Sequence, residues 1–157
     1  FWIKFCQRFL LLDPMQEEYA AEIEKTIYNA CLPTQGGSKG ILYHLRMEGR
    51  RESPTVANTC CEGQGTRLFG SLPEYIFSIA EDGLYVNLFE PSTVRWQRVG
   101  QLLSLNLKSR FPYEPAVELK VSAPQRVAMK LRVRVPGWAA AQMPIAGSSM
   151  MYPAGCE

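Results

Sequence analysis

The chain has one histidine, no pair of cysteines spaced Cys-x-x-Cys, and no apolar run approaching the roughly 20 residues that a membrane helix needs. Each absence removes a class of function. A Cys–His or Ser–His hydrolase would depend on His44 alone, and His44 stands in an alternating stretch that reads as an exposed strand. A self-contained zinc finger lacks its second ligand pair. A membrane span is excluded. No Gly-Lys-Ser/Thr follows Gly63 and Gly65, so these glycines are not a phosphate loop. No unbroken basic run exists either. The densest, HLRMEGRRE, is interrupted by Glu48 and Glu52, and with 17 basic against 15 acidic residues nothing points to nucleic acid. There is no internal repeat and no low-complexity tract. Five cysteines, an odd number, are scattered rather than arranged as a disulfide framework. The chain also opens without an initiator Met or a signal peptide and stops at MMYPAGCE without a helix stop signal, so we expect a fragment of a longer protein. The sequence assigns neither compartment nor oligomeric state.

What is present is an ordinary globular balance, 46% hydrophobic and 20% charged over 157 residues. Trp2, Phe5, Phe9 and Leu12, with Cys6 and Leu10 beside them, predict a first helix with a broad apolar face. Asp13, Pro14 and Gln16 predict the capped start of a second, whose buried stripe is Ala20, Ile23, Ile27 and Ala30. After the turn PTQGGSKG, alternation of Ile41, Tyr43, Leu45 and Met47 predicts a short strand. Leu68, Leu72 and Ile76 predict a third helix from about Gly63 to Ile79, made irregular by Pro73 and three glycines.

The texture changes at Asp82-Gly83. LYVNLF, VRWQRV, LLSLNLK, AVELKV and VAMKLRVRV follow at short intervals. In the last, Val127, Met129, Leu131, Val133 and Val135 face one way, and Lys130, Arg132 and Arg134 the other. Such spacing predicts an antiparallel sandwich. Helices first and strands second predict two segregated domains, residues 1–81 and 82–157.

The chemistry centres on NTCCEGQGTR. Adjacent Cα atoms lie about 3.8 Å apart, below the disulfide range of about 4.4–6.8 Å, so Cys60 and Cys61 are poor partners for each other. Buried packing, two separate disulfides, or a shared soft metal remain. Cys6, Cys31 and Cys156 read as small buried hydrophobes. Glu22 reads as solvated; Glu24 shares a helical face with Tyr28.

Four blocks, AAEIEKTIYNACL, TCCEGQGTRLFGSLPEYIF, DGLYVNLFEPSTVRW and LRVRVPGW, resemble successive blocks of the β-L-arabinofuranosidase family of glycoside hydrolases, family 127 and its relatives, in order and at compatible spacing. The resemblance covers nearly the whole chain. It implies the C-terminal part of an (α/α)6 barrel followed by an antiparallel β-sandwich, truncated at both ends. It also implies a retaining hydrolase of terminal β-L-arabinofuranose or a related furanoside, with a carbohydrate partner. Its cofactor would be Zn2+, held by three cysteines and one glutamate. By resemblance Cys60 is both nucleophile and ligand, Cys61 is a ligand, Glu24 lies at the sugar site, and Tyr43 is an aromatic that contacts substrate. Glu62 stands where some members carry proline. The family's remaining ligands, a Glu-x-Cys motif, and its general acid precede the first helix seen here. Cys6 does not replace that cysteine, because Lys4 stands two residues before it. A non-catalytic carbohydrate-binding protein of the same fold is the alternative reading, and the upstream sequence separates the two.

Overall fold

A computed structural model describes residues 1–36, 40–42, 45, 48–49, 59–139 and 150–152. Helices occupy the first part and strands the second. Helix α1 (Trp2–Leu12) buries Ile3, Cys6 and Leu10, one helical stripe, against α2 (Glu17–Thr26). Trp2, Phe5 and Phe9, expected on that apolar face, point outward. There they form an aromatic ladder that continues to Tyr19 of α2. Both stripes of α1 are apolar, so local spacing does not choose between them. Asp13 closes α1 rather than capping α2. Its backbone N–H donates to the Phe9 carbonyl at 2.8 Å, and its carboxylate accepts the Met15 N–H at 3.1 Å. Ala20, Ile23 and Ile27 are buried as expected, whereas Ala30 is exposed.

Helix α2 runs directly into a π-helical turn, Ile27–Cys31, and a 3-10 turn, Leu32–Thr34. The wider turn carries Tyr28, and such bulges often mark functional positions. The strand expected around Ile41 is represented among the described residues by one bridge, Gln35 to Ile41. Tyr43 and Met47 of that stretch lie outside the described residues.

The expected third helix divides into three elements. Helix α3 (Thr59–Gly70) starts four residues earlier than expected and takes in both cysteines. Gly65 lets α3 approach Ile41, since a Cβ there would stand 3.0 Å from its side chain. A single turn, α4 (Pro73–Ile76), follows, and then strand β1 (Phe77–Ala80). The sheet region thus opens at Phe77, where helical periodicity masks a strand.

Strand β1 pairs antiparallel with β2 (Gly83–Val86), which pairs parallel with β6 (Lys130–Arg134), itself parallel to β7 (Met150–Tyr152). The second sheet is antiparallel throughout: β3 (Ser92–Arg98), β4 (Gln101–Ser109) and β5 (Val117–Ser122). The first sheet is therefore mixed rather than antiparallel. Gly83 makes the β2–β6 contact feasible, because a side chain there would collide with the Lys130 backbone. Leu84 and Val86 of β2 join Leu103, Leu105 and Leu107 of β4 and Trp96 of β3 in one buried cluster. Alternation along β4 explains this: Leu103, Leu105 and Leu107 are buried and the even positions between and beside them face outward or half outward.

Candidate functional site

Cys60 and Cys61 lie in the first turn of α3, where the backbone amides of a 12-residue helix favour negative charge. Cys60 is exposed and Cys61 half-buried, and neither forms a disulfide. Their sulfurs are 3.7 Å apart. Two sulfurs bound to one zinc at about 2.3 Å in a tetrahedron lie roughly 3.8 Å apart, so the pair fits one edge of a zinc site without rearrangement. Partial burial and the neighbouring Cys60 sulfur push the Cys61 thiol above its ordinary range. Among the described residues no group of three or more His, Cys, Asp and Glu side chains gathers around a metal position. The pair thus supplies half of a four-ligand set. Burial raises the Cys6 and Cys31 thiols, which behave as packing groups.

Glu24 is held by an arginine that alternation alone assigned to the outward face. Arg134 of β6 is wholly buried. Its Nη2 donates to the Glu24 carboxylate, its Nη1 lies 3.3 Å from Glu17 Oε1, and its guanidinium sits 5.9 Å from the centre of the Phe89 ring. Arg134 thus ties β6 to α2 through two carboxylates, Glu17 and Glu24, that lie about two turns apart. Burial raises Glu17 above the usual carboxylate range, the Arg134 charge and the Gly137 amide opposing it. Two residues earlier on β6, Arg132 meets both oxygens of Asp82 at 2.9 and 2.5 Å, and with Lys130 it holds that carboxyl well below its ordinary range.

Glu24 lines two adjoining cavities, about 220 and 490 Å³, between the helices and the sheets. Tyr28, Phe89 and Phe111 line both. The Tyr28 hydroxyl donates to Glu90 at 2.6 Å, and burial with that carboxylate holds its proton firmly. Phe111 stacks on Trp138 with ring centres 5.7 Å apart and planes 20° from parallel. Three sequence blocks converge here: EKTIYN through Glu24 and Tyr28, NLFEPS through Phe89 and Glu90, and RVPGW through Arg134 and Trp138. Neither cysteine lines these cavities. Tyr43, His44 and Cys156 lie outside the described residues. Reasoning from sequence placed Tyr28 only beside Glu24 and gave Arg134 and Trp138 no part in a site; nothing local in the three blocks announces that they meet.

Residues 83–154, a little under half of the chain, match the family model described as β-L-arabinofuranosidase, GH127 middle domain. The chain is similar in fold to the crystal structure of a GH127 β-L-arabinofuranosidase from Geobacillus stearothermophilus T6, at TM-score 0.75 and 24% identity, over 87% of this chain and 24% of that one. A second solved GH127 β-arabinofuranosidase superposes at TM-score 0.76 and 22% identity, over 88% of this chain and 22% of that one. A glycoside hydrolase structure does so at 0.75 and 19%, over 96% and 28%. The chain therefore spans about a quarter of the length of these structures. A comparison with curated proteins finds no match. The resemblance to family 127 thus rests on a matched middle domain as well as on sequence blocks, and helices followed by antiparallel-rich strands is the arrangement of its solved members.

Proposed function

We propose that this chain is part of a retaining glycoside hydrolase that removes terminal β-L-arabinofuranose, or a related furanoside, with Cys60 as nucleophile. In this reading α1–α4 are the end of an (α/α)6 barrel and the strands begin a β-sandwich. The observation that carries it is the cysteine pair. Two sulfurs 3.7 Å apart on the first turn of α3 precede the matched middle domain, with α4 and β1 between.

The donor set fits Zn2+, for which Cys60 and Cys61 would be two ligands. When bound, that ion supplies the charge that keeps a coordinating thiol deprotonated at neutral pH. Protein groups do the rest, and the general acid among them is the one the resemblance places before the first helix of this chain. The Cys60 sulfur attacks the anomeric carbon as the bond to the leaving oxygen breaks, and a general acid protonates that oxygen. A glycosyl-cysteine thioether results. Water then attacks the same carbon from the vacated face, gives up a proton to the conjugate base, and releases the sugar with retained configuration and the sulfur as thiolate. Cys61 fixes the direction of its neighbour, as supporting ligands do. Glu24, and Tyr43 of the undescribed segment, are the substrate contacts of this reading.

A furanose-shaped epoxide or haloacetamide tests the assignment in the enzyme that contains this chain. It labels Cys60, and Cys60→Ser abolishes hydrolysis of an aryl β-L-arabinofuranoside. Peptide mapping that places the label on Cys61 or Glu24 overturns the nucleophile.

A further inference from the structure

We propose that the larger cavity between helices and sheets is a saccharide-binding subsite, with Trp138 and Phe111 as its platform and Tyr28 and Glu24 as its polar wall. The sugar class rests on the functional reading above; the site itself rests on geometry.

Its wall combines two kinds of surface that few ligands satisfy together. One side is aromatic. Trp138 is 66% exposed yet fixed in direction by stacking on Phe111, and Tyr28 meets Phe111 edge to face at 6.3 Å. An exposed ring with a packed orientation offers its electron-rich face to weakly positive C–H groups. The other side carries the Glu24 carboxylate and the Tyr28 phenol. Ionised carboxylates only accept hydrogen bonds, and they are costly to leave against apolar walls without donors. The Arg134 guanidinium offsets the charge of Glu24, which removes the demand for a cationic ligand there. The Tyr28 hydroxyl spends its proton on Glu90, so its lone pairs face the cavity as acceptors. A neutral ligand with several hydroxyl donors on one face and C–H groups on the other meets both sides. A furanoside has that form, and about 490 Å³ accommodates one or two such rings.

The full chain carries three tryptophans, Trp2, Trp96 and Trp138, whose indole N–H signals report separately in a nitrogen-15 spectrum. Titration with methyl β-L-arabinofuranoside, with zinc chelated, is expected to shift Trp138 and leave Trp2 and Trp96 in place. Trp138→Ala weakens binding roughly tenfold, followed by the sugar's own signals, while Trp138→Phe keeps it within about threefold. Tyr28→Phe, which retains the ring, weakens it severalfold. No shift at Trp138 overturns the subsite, as does affinity indifferent to both Trp138→Ala and Tyr28→Phe. Equal binding of benzyl alcohol or of a simple alkylammonium overturns its saccharide class. Binding at Trp138 with no turnover in the enzyme leaves this subsite standing and removes the hydrolase reading; turnover with no shift at Trp138 does the reverse.

Discussion

The sheet region and the helical region solve the same packing problem to different degrees. Leu84, Val86, Leu103 and Leu105 are completely buried among strands of the two sheets. The helices bury Ile3, Cys6, Leu10, Ala20 and Ile23, but α1 turns Trp2, Phe5 and Phe9 outward as a ladder with 49, 43 and 36% exposure. The sheets leave Ile79, Leu102 and Val121 exposed outside their core, and the helices leave a stacked aromatic face open. The proposed reacting group sits on the less complete side. Cys60 lies exposed at the start of α3, next to a segment outside the described residues. Groups that must meet substrate belong where local packing is light, while the sheets carry the stability. Arg134 joins the two regions, as do the Tyr28–Glu90 hydrogen bond and Leu88, which packs in the helical core.

The largest expected effect separates chemistry from folding. In the enzyme containing this chain, Cys60→Ser lowers turnover on the order of 10⁴-fold or more and lowers the melting temperature no further than removal of zinc does. Cys61→Ser weakens zinc binding and lowers turnover less, because its sulfur forms no bond to sugar. The chain by itself is expected to show no hydrolysis, since two thiolates do not close a tetrahedral site. Steady-state kinetics and zinc content check all three. A melting loss in Cys60→Ser comparable to that of a core deletion would break the division between regions.

Arg134 comes next. Arg134→Met leaves Glu17 and Glu24 facing a buried hydrocarbon, and costs about 3–5 kcal/mol by denaturant unfolding. Adding Glu24→Gln to that variant should recover part of the loss, because one stranded charge is removed. Leu105→Ala, deep in the sheet core, costs about 3 kcal/mol through cavity formation, with no effect on the thiol chemistry beyond loss of folded protein. On the open face, Phe5→Ser costs about 1 kcal/mol, the worth of its contacts with Trp2 and Phe9. It should also reduce self-association, read by sedimentation. A loss as large as that of Leu105→Ala would show that the ladder is core after all.

The sequence shows the strands more clearly than their partners. Alternation located β3, β4, β5 and β6 to within a few residues, since period-two burial is written locally. The parallel pairing of β2 with β6 joins residues nearly 50 apart, and nothing in either strand announces it. β1 was hidden because Leu72 and Ile76 sustain a four-residue repeat up to its first residue. Arg134 shows the deeper limit. Alternation correctly put Lys130, Arg132 and Arg134 on one face, but whether that face meets water depends on α2, more than 100 residues earlier. At Lys130 it meets water, and at Arg134 it meets two glutamates. The cysteine pair stood out by its adjacency, and its role, like that of Glu24, comes from the family resemblance; the cavity, assembled from three distant blocks, was legible only in the fold.

The smallest effect contrasts the two carboxylates that β6 binds. Asp82, at the open edge, is held below its ordinary value of 3.8 first by Arg132 and then by Lys130. Its stabilisation is complete above that value and fades only as pH falls through the lower folded value. Glu17, at the seam, is raised above 4.5 by burial in spite of Arg134. The folded state therefore holds the Glu17 proton more tightly than the unfolded chain does, and stability from this group is lost as pH rises through its folded value. Removing each group should thus change the pH slope in opposite senses. Relative to wild type, Asp82→Asn loses a constant increment between pH 7 and 5, and the gap closes only below pH 3.8. For Glu17→Gln the comparison with wild type shifts in favour of wild type as pH falls from 7 towards 4.5. Melting curves at several pH values measure both slopes. Parallel slopes would mean that Arg134 meets its carboxylates in water, as Arg132 does, and that helix and sheet are joined at an open seam rather than a buried one.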